Sequence, residues 1–402
     1  METLQPKLRF PEFDGDWEIK SLRELTSLIT KGTTPKKFVE KGINFIKIEC
    51  LDGHNIDKNK CLFIDEVTHN KELKRSKLAK EDILFAIAGA TIGKCTIVNE
   101  SVLPANTNQA LSIIRLNQKE NKDYIFQILT SEKMSKYIID NISVGAQPNL
   151  NLEQINSFSF SYPTHQEQTK IANFLSSVDE KLNLLKEKKE TLEAYKKGIM
   201  QKIFNQEIRF KDDNGNDFED WEEKSLGDIS KIVTGKTPST KDADLWNGDI
   251  QFITPTDIKE GSKYQYSTSR YVMNNDKIKI LPINSIVYTC IASIGKMCIS
   301  KFPSITNQQI NSLIINDENN FEYVYYWLLY ITPFIKTTQA NTTLPIINKT
   351  DFSNFSIMIP SLKEQAKIAN FLSAIDEKIE LVKTQIEDTQ EYKKGLLQQM
   401  FV

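Results

Sequence analysis

EQTKIANFLSSVDEKLNLLKEKKETLEAYKKGIMQKIF, Glu167 to Phe204, returns as EQAKIANFLSAIDEKIELVKTQIEDTQEYKKGLLQQMF, Glu364 to Phe401. Gln168 matches Gln365, Asp179 matches Asp376 and Gly198 matches Gly395 at one constant offset, so no insertion or deletion separates the copies. Apolar residues fall into two heptad columns, Ile171, Val178, Leu185, Leu192 and Ile199 in one and Leu175, Leu182 and Ile203 in the other. The second copy repeats them as Ile368, Ile375, Val382 and Leu396, then Leu372, Ile379, Ile386 and Met400, broken by Thr389 and by Lys393, the counterpart of Lys196. A seam this narrow accommodates one partner helix. Each copy would be roughly 60 Å long at about 1.5 Å per residue, whereas a domain of about 150 residues has a radius of gyration near 15 Å. The chain leaves the first helix, builds a domain and starts the second, and antiparallel helices place that exit and that return side by side. The pattern therefore predicts an antiparallel coiled coil; the alternative is two surface helices, each packed on its own domain.

The flanking segments repeat as well, more distantly. Trp17-Glu18 and Lys20-Ser21-Leu22 match Trp221-Glu222 and Lys224-Ser225-Leu226. Gly-x-Thr-Pro at Gly32 to Pro35 matches Gly235 to Pro238, Ile92-Gly93-Lys94 matches Ile294-Gly295-Lys296, and Thr107-Asn108-Gln109 matches Thr306-Asn307-Gln308. Two domains thus share one scaffold with small length changes in its loops. Short β-like runs (44–48, 83–87 and 110–116; 250–254, 285–289 and 311–315) are bounded by Gly, Pro and Asn. A helix is expected over 122–139 and 322–335, then an alternating strand over 155–162 and 352–359 leading through Pro163 or Pro360 into the long helix. The reading is α+β with an irregular, strongly bent sheet, divided as 1–162, 163–206, 207–359 and 360–402. Ile208-Arg209-Phe210 follows the first long helix, and Leu8-Arg9-Phe10 opens the chain as though continuing the second. The design is circular, with an expected pseudo-twofold relation between the halves.

At 402 residues the chain exceeds one core. Five cysteines without a CxxC pair fit a reducing interior, so a cytoplasmic location is expected. No charged-then-apolar leader opens the chain and no apolar run approaches a membrane span. A formal charge of −2 argues against gripping nucleic acid by bulk electrostatics, because such domains usually have a pI above about 9. With six arginines (Arg9, Arg23, Arg75, Arg115, Arg209 and Arg270), base reading would lean on Lys, Asn, Gln, Ser and Thr.

Several chemistries lack their residues. There is no Pro-Pro pair for a flipped-base methylation loop and no Gly-rich cofactor turn. Gly89 to Cys95 has one residue too few between its glycines for a phosphate loop and no Ser or Thr after Lys94, so it and its partner from Ala292 read as tight β-turns whose Lys94 and Lys296 could touch a DNA phosphate. Asp179-Glu180-Lys181 and Asp376-Glu377-Lys378 resemble the tail of a nuclease metal motif, but no Pro-Asp precedes them and they sit in heptad helices, where solvated charges are expected. His54, His69 and His165 have no partners at metal-ligand spacing. The stripe Tyr323, Tyr325, Tyr326, Trp327 and Tyr330 reads as core packing ahead of base stacking, and the basic run from Lys71 to Lys80 could meet DNA or a partner.

Two domains alternating with two near-identical long helices, with the Trp-Glu start, Gly-Lys-Thr-Pro, Ile-Gly-Lys, Thr-Asn-Gln and Pro-x-x-x-Glu-Gln-x-x-Ile-Ala at Pro163 to Ala172 and Pro360 to Ala369, resemble the specificity subunit of type I restriction-modification systems across essentially the whole chain. The first domain departs from the pattern with Gly-Thr-Thr-Pro. The resemblance implies two target recognition domains, each reading half of a bipartite site in double-stranded DNA, with the helix pair setting the spacer. It implies a non-catalytic chain without a cofactor of its own. Two modification subunits would methylate adenine with S-adenosylmethionine, and two motor-nuclease restriction subunits would use Mg and ATP. A self-contained DNA-modifying enzyme and a coiled-coil scaffold without DNA contact are the rival readings.

If the domains read different half-sites, side chains they share cannot discriminate, so Asn108, Gln109, Asn307 and Gln308 are assigned to turns or phosphates. The DNA-contact candidates are Thr33, Thr34, Lys36, Lys37, Lys47 and Gln147 in the first domain and Lys236, Thr237, Ser239, Lys241, Thr256 and Thr343 in the second, with Lys94 and Lys296. Asn or Gln suits adenine, and Lys suits guanine or phosphate.

Overall fold

The computed structural model describes residues 4–142, 148–274, 278–339 and 345–401. The chain divides into two compact units, Met1–Glu187 with Lys383–Val402, and Lys188–Val382. The central helix, His165–Phe204, and the terminal helix, Leu362–Met400, run uninterrupted for 40 and 39 residues, and each unit takes one piece of both.

In the first unit a four-stranded antiparallel sheet runs in the order Thr26–Lys31, Leu111–Leu116, Ile83–Ala86, Cys95–Ile97. A separate three-stranded sheet places Ile43–Ile46 between Leu62–Ile64, antiparallel to it, and Ala105–Thr107, parallel to it. The second unit repeats both. Its five strands run Ser230–Thr234, Ile310–Ile315, Ile286–Thr289, Met297–Ser300, Tyr264–Gln265, and its three run Arg270–Val272, Trp246–Ile253, Ser304–Thr306. The expected single bent sheet is therefore divided in each unit between a larger sheet and a three-stranded one, beside two-stranded ladders.

Period-two alternation explains the layering. Ile83 and Phe85 enter the core shared with the helices, while Leu84 and Ala86 enter a second cluster with Ile46, Cys50 and Val98, so the strand is apolar on both faces. A two-stranded ladder, Glu18–Ser21 with Ser159–Tyr162 and Glu222–Ser225 with Ser356–Ile359, then ties the start of each unit to the strand that leads into a long helix.

Two local expectations fail for identifiable reasons. The segments 155–162 and 352–359 are not continuous strands, because Leu152–Ser157 and Lys349–Ser353 are short helices preceding the strands. Asn151 and Gln154 form a reciprocal capping box and Asn348 Oδ1 accepts from the Asp351 amide, so local hydrogen bonds outweigh the apolar alternation. The helix expected over 122–139 breaks into Lys122–Leu129 and Glu132–Asn141, where the Thr130 and Ser131 hydroxyls donate to the carbonyls of Phe126 and Ile128. Its counterpart, Phe321–Gln339, continues through Pro333.

The seam is antiparallel within each unit taken alone. In the first, Ile171, Leu175 and Val178 share a core with Leu396, Met400 and Phe401; in the second, Met200, Ile203 and Phe204 share one with Ile368, Leu372 and Ile375. The lysines that interrupt the heptad columns are paired across it, Lys393 Nζ with Asp179 at 2.5 Å and Lys196 Nζ with Asp376 at 2.6 Å. Asp179 and Asp376 are accordingly not solvated helix charges, whereas Glu180, Lys181, Glu377 and Lys378 are exposed.

Each helix start is held by an arginine from the preceding arm. Arg9 bonds the buried Glu167 through Nε (2.8 Å) and Nη2 (2.9 Å), and Arg209 bonds the buried Glu364 through Nη2 (2.9 Å). The Leu8 amide donates to the Gln399 carbonyl at 2.9 Å, so the amino-terminal arm takes up where the terminal helix stops. The tyrosine stripe is core, with Tyr323, Tyr325, Tyr326 and Trp327 buried. No helix among the described residues is long and apolar enough to cross a membrane.

Candidate nucleic-acid interface

The Gly-x-Thr-Pro loop and the Thr-Asn-Gln turn form one device in both units. A Cβ on Gly32 would lie 2.1 Å from the Thr107 carbonyl oxygen, and one on Gly235 2.1 Å from that of Asn307, so only glycine permits the loop to lie flush on the turn. The following threonine fastens it: Thr34 donates to Gln109 Oε1 at 2.5 Å and Thr237 to Gln308 Oε1 at 2.8 Å. Asn108 Oδ1 accepts from the Ala110 amide and Asn307 Oδ1 from the Gln309 amide, which makes both asparagines turn residues. The device leaves Thr33 and Lys236, the variable second position, exposed.

In the second unit Lys236, Thr237 and Ser239 line one cavity of about 640 Å³ together with Thr234, Asp242, Lys279 and Thr306. Lys241 is exposed farther along the same loop. Thr256 is exposed on a turn, its hydroxyl 2.9 Å from that of Thr254, with Asp257 accepting from Thr254. Burial pushes the Asp257 carboxyl up, but bonds from Thr254 and Ser269 outweigh it and hold the group below the ordinary carboxylate range.

In the first unit Lys36 and Lys37 are exposed beside Thr33 and Thr34, with Lys37 Nζ 3.8 Å from Asp65. Lys47 is half-buried and 3.9 Å from Glu49, so its charge is partly engaged within the unit. Gln147 and Thr343 lie outside the described residues.

The two glycine turns bear out the β-turn reading. Gly89 and Gly93 have φ of +83° and +92°, Ala292 and Gly295 of +61° and +86°. Lys94 shares a cavity of about 310 Å³ with His54, Asp179 and Lys393. Lys296 is half-buried and its amide donates to Thr289 Oγ1 at 2.9 Å.

Asp179 is the centre of that second cluster. His54 Nε2 lies 2.8 Å from its Oδ2, Gln127 Nε2 donates to the same oxygen at 2.8 Å, and Lys393 donates to Oδ1. Burial opposes the charge, but the bonds from His54, Lys393 and Gln127 outweigh it and hold the carboxyl at about 2. The second unit builds its version from Lys196 and the Tyr326 hydroxyl, 2.6 Å from Asp376 Oδ2.

Sequence reasoning did not single out two exposed cations of the second unit, Arg270 on the edge strand Arg270–Val272 and Lys279; the likewise exposed Arg75 lies in the basic run already noted. The Arg270 guanidinium lies over the rings of Trp246 (5.0 Å) and Phe252 (4.9 Å). The isolated bridges Lys77–Asn106 and Leu281–Ser304 put the segments that carry Arg75 and Lys279 beside the parallel strand of the three-stranded sheet in each unit. No sequence signal marked Arg270, because its place beside the two rings is set by ladder register. Among the described residues no group of three or more His, Cys, Asp or Glu could hold a metal ion.

Comparison with known proteins places this architecture. The chain is 26% identical over 97% of its length to the putative type I restriction enzyme MjaX specificity subunit of Methanocaldococcus jannaschii, of which 94% is covered. It is 23% identical over 74% of its length to the type I restriction enzyme HindI specificity subunit of Haemophilus influenzae, of which 81% is covered. The crystal structure of the type I restriction-modification S subunit from M. genitalium shares the fold, with a TM-score of 0.61 at 16% identity over 99% of both chains. The family model for the type I restriction modification DNA specificity domain matches twice, at residues 14–194 and 218–390. With a full copy of that domain on either side of the arm at Arg209, the chain belongs to the family of type I restriction-modification DNA specificity domains.

Proposed function

We propose that this chain is the sequence-reading subunit of a type I restriction-modification complex, in which each recognition domain (1–162 and 207–359) reads one half of a bipartite site in double-stranded DNA. The observation that carries the reading is the duplicated seat: one Gly-x-Thr-Pro loop on one Thr-Asn-Gln turn in each unit, held alike and presenting a different residue, Thr33 in one and Lys236 in the other. A device that fixes backbone position while varying the exposed side chain suits recognition of unlike half-sites. Thr33, Thr34, Lys36, Lys37, Lys47 and Gln147, with Lys94, are the proposed contacts of the first domain. Lys236, Thr237, Ser239, Lys241, Thr256 and Thr343, with Lys296, are those of the second. Thr34 and Thr237 serve chiefly to hold their loops. The long helices set the spacer, and the chain binds no cofactor of its own. Two modification subunits would supply adenine methylation with S-adenosylmethionine, and two restriction subunits cleavage with Mg and ATP.

The test is to express the chain with its modification subunit in cells lacking DNA methylation and to sequence the methylated positions. The expected result is one bipartite motif with methyladenine in each half and a constant gap. Methylation by the pure chain alone, or a contiguous undivided motif, would overturn the proposal.

A further inference from the structure

Four of the six arginines have a carboxylate partner in their own unit: Arg9 with Glu167, Arg115 with Asp82, Arg209 with Glu364 and, at the surface, Arg23 with Glu153. Arg75 and Arg270 have no carboxylate partner among the described residues. An exposed arginine is ordinarily just a solvated charge, and nothing distinguishes Arg75 from that. Arg270 is different because its guanidinium is held. It lies over the rings of Trp246 and Phe252, which meet edge to face at 5.4 Å and 81°. The platform is rigid, since Phe252 is buried and pairs directly with Arg270 in the ladder, and Trp246 Nε1 donates to the Ser239 carbonyl at 3.0 Å. That last bond ties the platform to the Lys236–Ser239 loop.

The repeat shows which part of this is special to one unit. Strand register aligns Phe252 and Arg270 with Phe45 and Leu62. The ring pair survives, with Phe38 standing edge-on to Phe45 at 5.4 Å, but leucine replaces the arginine. A charged group added to a scaffold otherwise kept in both units is positioned where the two half-sites can be told apart.

The two ring contacts hold the guanidinium fork in place without engaging its N–H groups in a carboxylate pair. Such a fork matches two acceptors side by side, as N7 and O6 of guanine present them in the major groove. We infer that Arg270 reads a guanine in the half-site recognised by the second unit. The inference rests on the proposed function. A phosphate contact is the competing role, and it would carry no base discrimination.

The experiment compares complexes of the modification subunit with the wild-type chain, Arg270→Ala and Arg270→Lys, by sequencing methylated sites and by rates on oligonucleotides bearing each base at every position of the motif. The expected result is relaxation at one G·C position of one half-site, with discrimination there falling on the order of ten- to a hundredfold in Arg270→Ala and the other half-site unchanged. Arg270→Lys keeps the charge and loses the fork, so it should remain folded, by thermal melting, and keep only part of the discrimination, with its rate on the other motif positions unchanged; that selective loss at one G·C position decides the question if the alanine variant does not fold. A uniform loss of rate on all sites with the motif intact would assign Arg270 to phosphate or to packing and overturn the inference. So would a wild-type motif lacking G·C in either half-site. Absence of any bipartite motif in the wild type would instead sink the functional proposal itself.

Discussion

Asp179 collects a histidine, a glutamine and a lysine from three separate segments, and its folded-state acidity has a consequence for stability. Its carboxyl is held at about 2 against an ordinary 3.8, so the unfolded chain takes up this proton first as pH falls. The stabilisation, about 2 kcal/mol, is complete above pH 4 and is lost between about 4 and 2. Asp179→Asn removes that pH dependence and leaves Lys393 without its counter-charge, for a cost of about 3 kcal/mol at neutral pH. Urea midpoints between pH 6 and 2.5 check both, with the variant's curve flatter over the acid limb; parallel curves would show that Asp179 does not govern it. Asp179, Glu180 and Lys181 looked alike in the sequence because a heptad pattern identifies the buried face and not which flanking charge meets a distant chain. The visible clue was Lys196 and Lys393 inside apolar columns, since a cation there requires an acid opposite it.

At the level of elements, the glycine seat should be intolerant in a way its exposed neighbour is not. Gly235→Ala forces a methyl to within 2.1 Å of the Asn307 carbonyl oxygen, which backbone must yield to, at about 1–3 kcal/mol. Lys236→Ala, one residue on and exposed, should change stability by less than about 0.5 kcal/mol. Denaturant titration of the two variants checks the contrast, and equal midpoints would contradict it. Much of this level was legible beforehand. The strand runs and the shared landmarks emerged from alternation and from self-comparison, and the turns from their glycines. The short helices at Leu152 and Lys349 did not, because two apolar residues spaced for a strand also suit one helical turn, and the decision fell to the Asn151 and Asn348 caps. The Arg270 platform was illegible for a related reason: its two rings share one strand, but Arg270 comes from another and meets them only through ladder register.

At the level of the whole chain, repetition carried most of the architecture, because a constant offset survives any uncertainty about individual elements. The cross-seam pairs Asp179–Lys393 and Asp376–Lys196 use the same acid and the same base of the repeat, each helix supplying one of both. A gene truncated after residue 206 would encode one recognition unit and one helix bearing Asp179 and Lys196. Its core would lack Leu396, Met400 and Phe401, and a second copy could supply their counterparts Ile199, Ile203 and Phe204. Such a fragment is expected to be a homodimer by light scattering, broken by Lys196→Asp and restored when Asp179→Lys is added; a stable monomer would refute this. The paired halves would be identical, and the sequence they select would be a palindrome. Gene fission in this lineage therefore need not abolish recognition, because each half already carries the complement of itself.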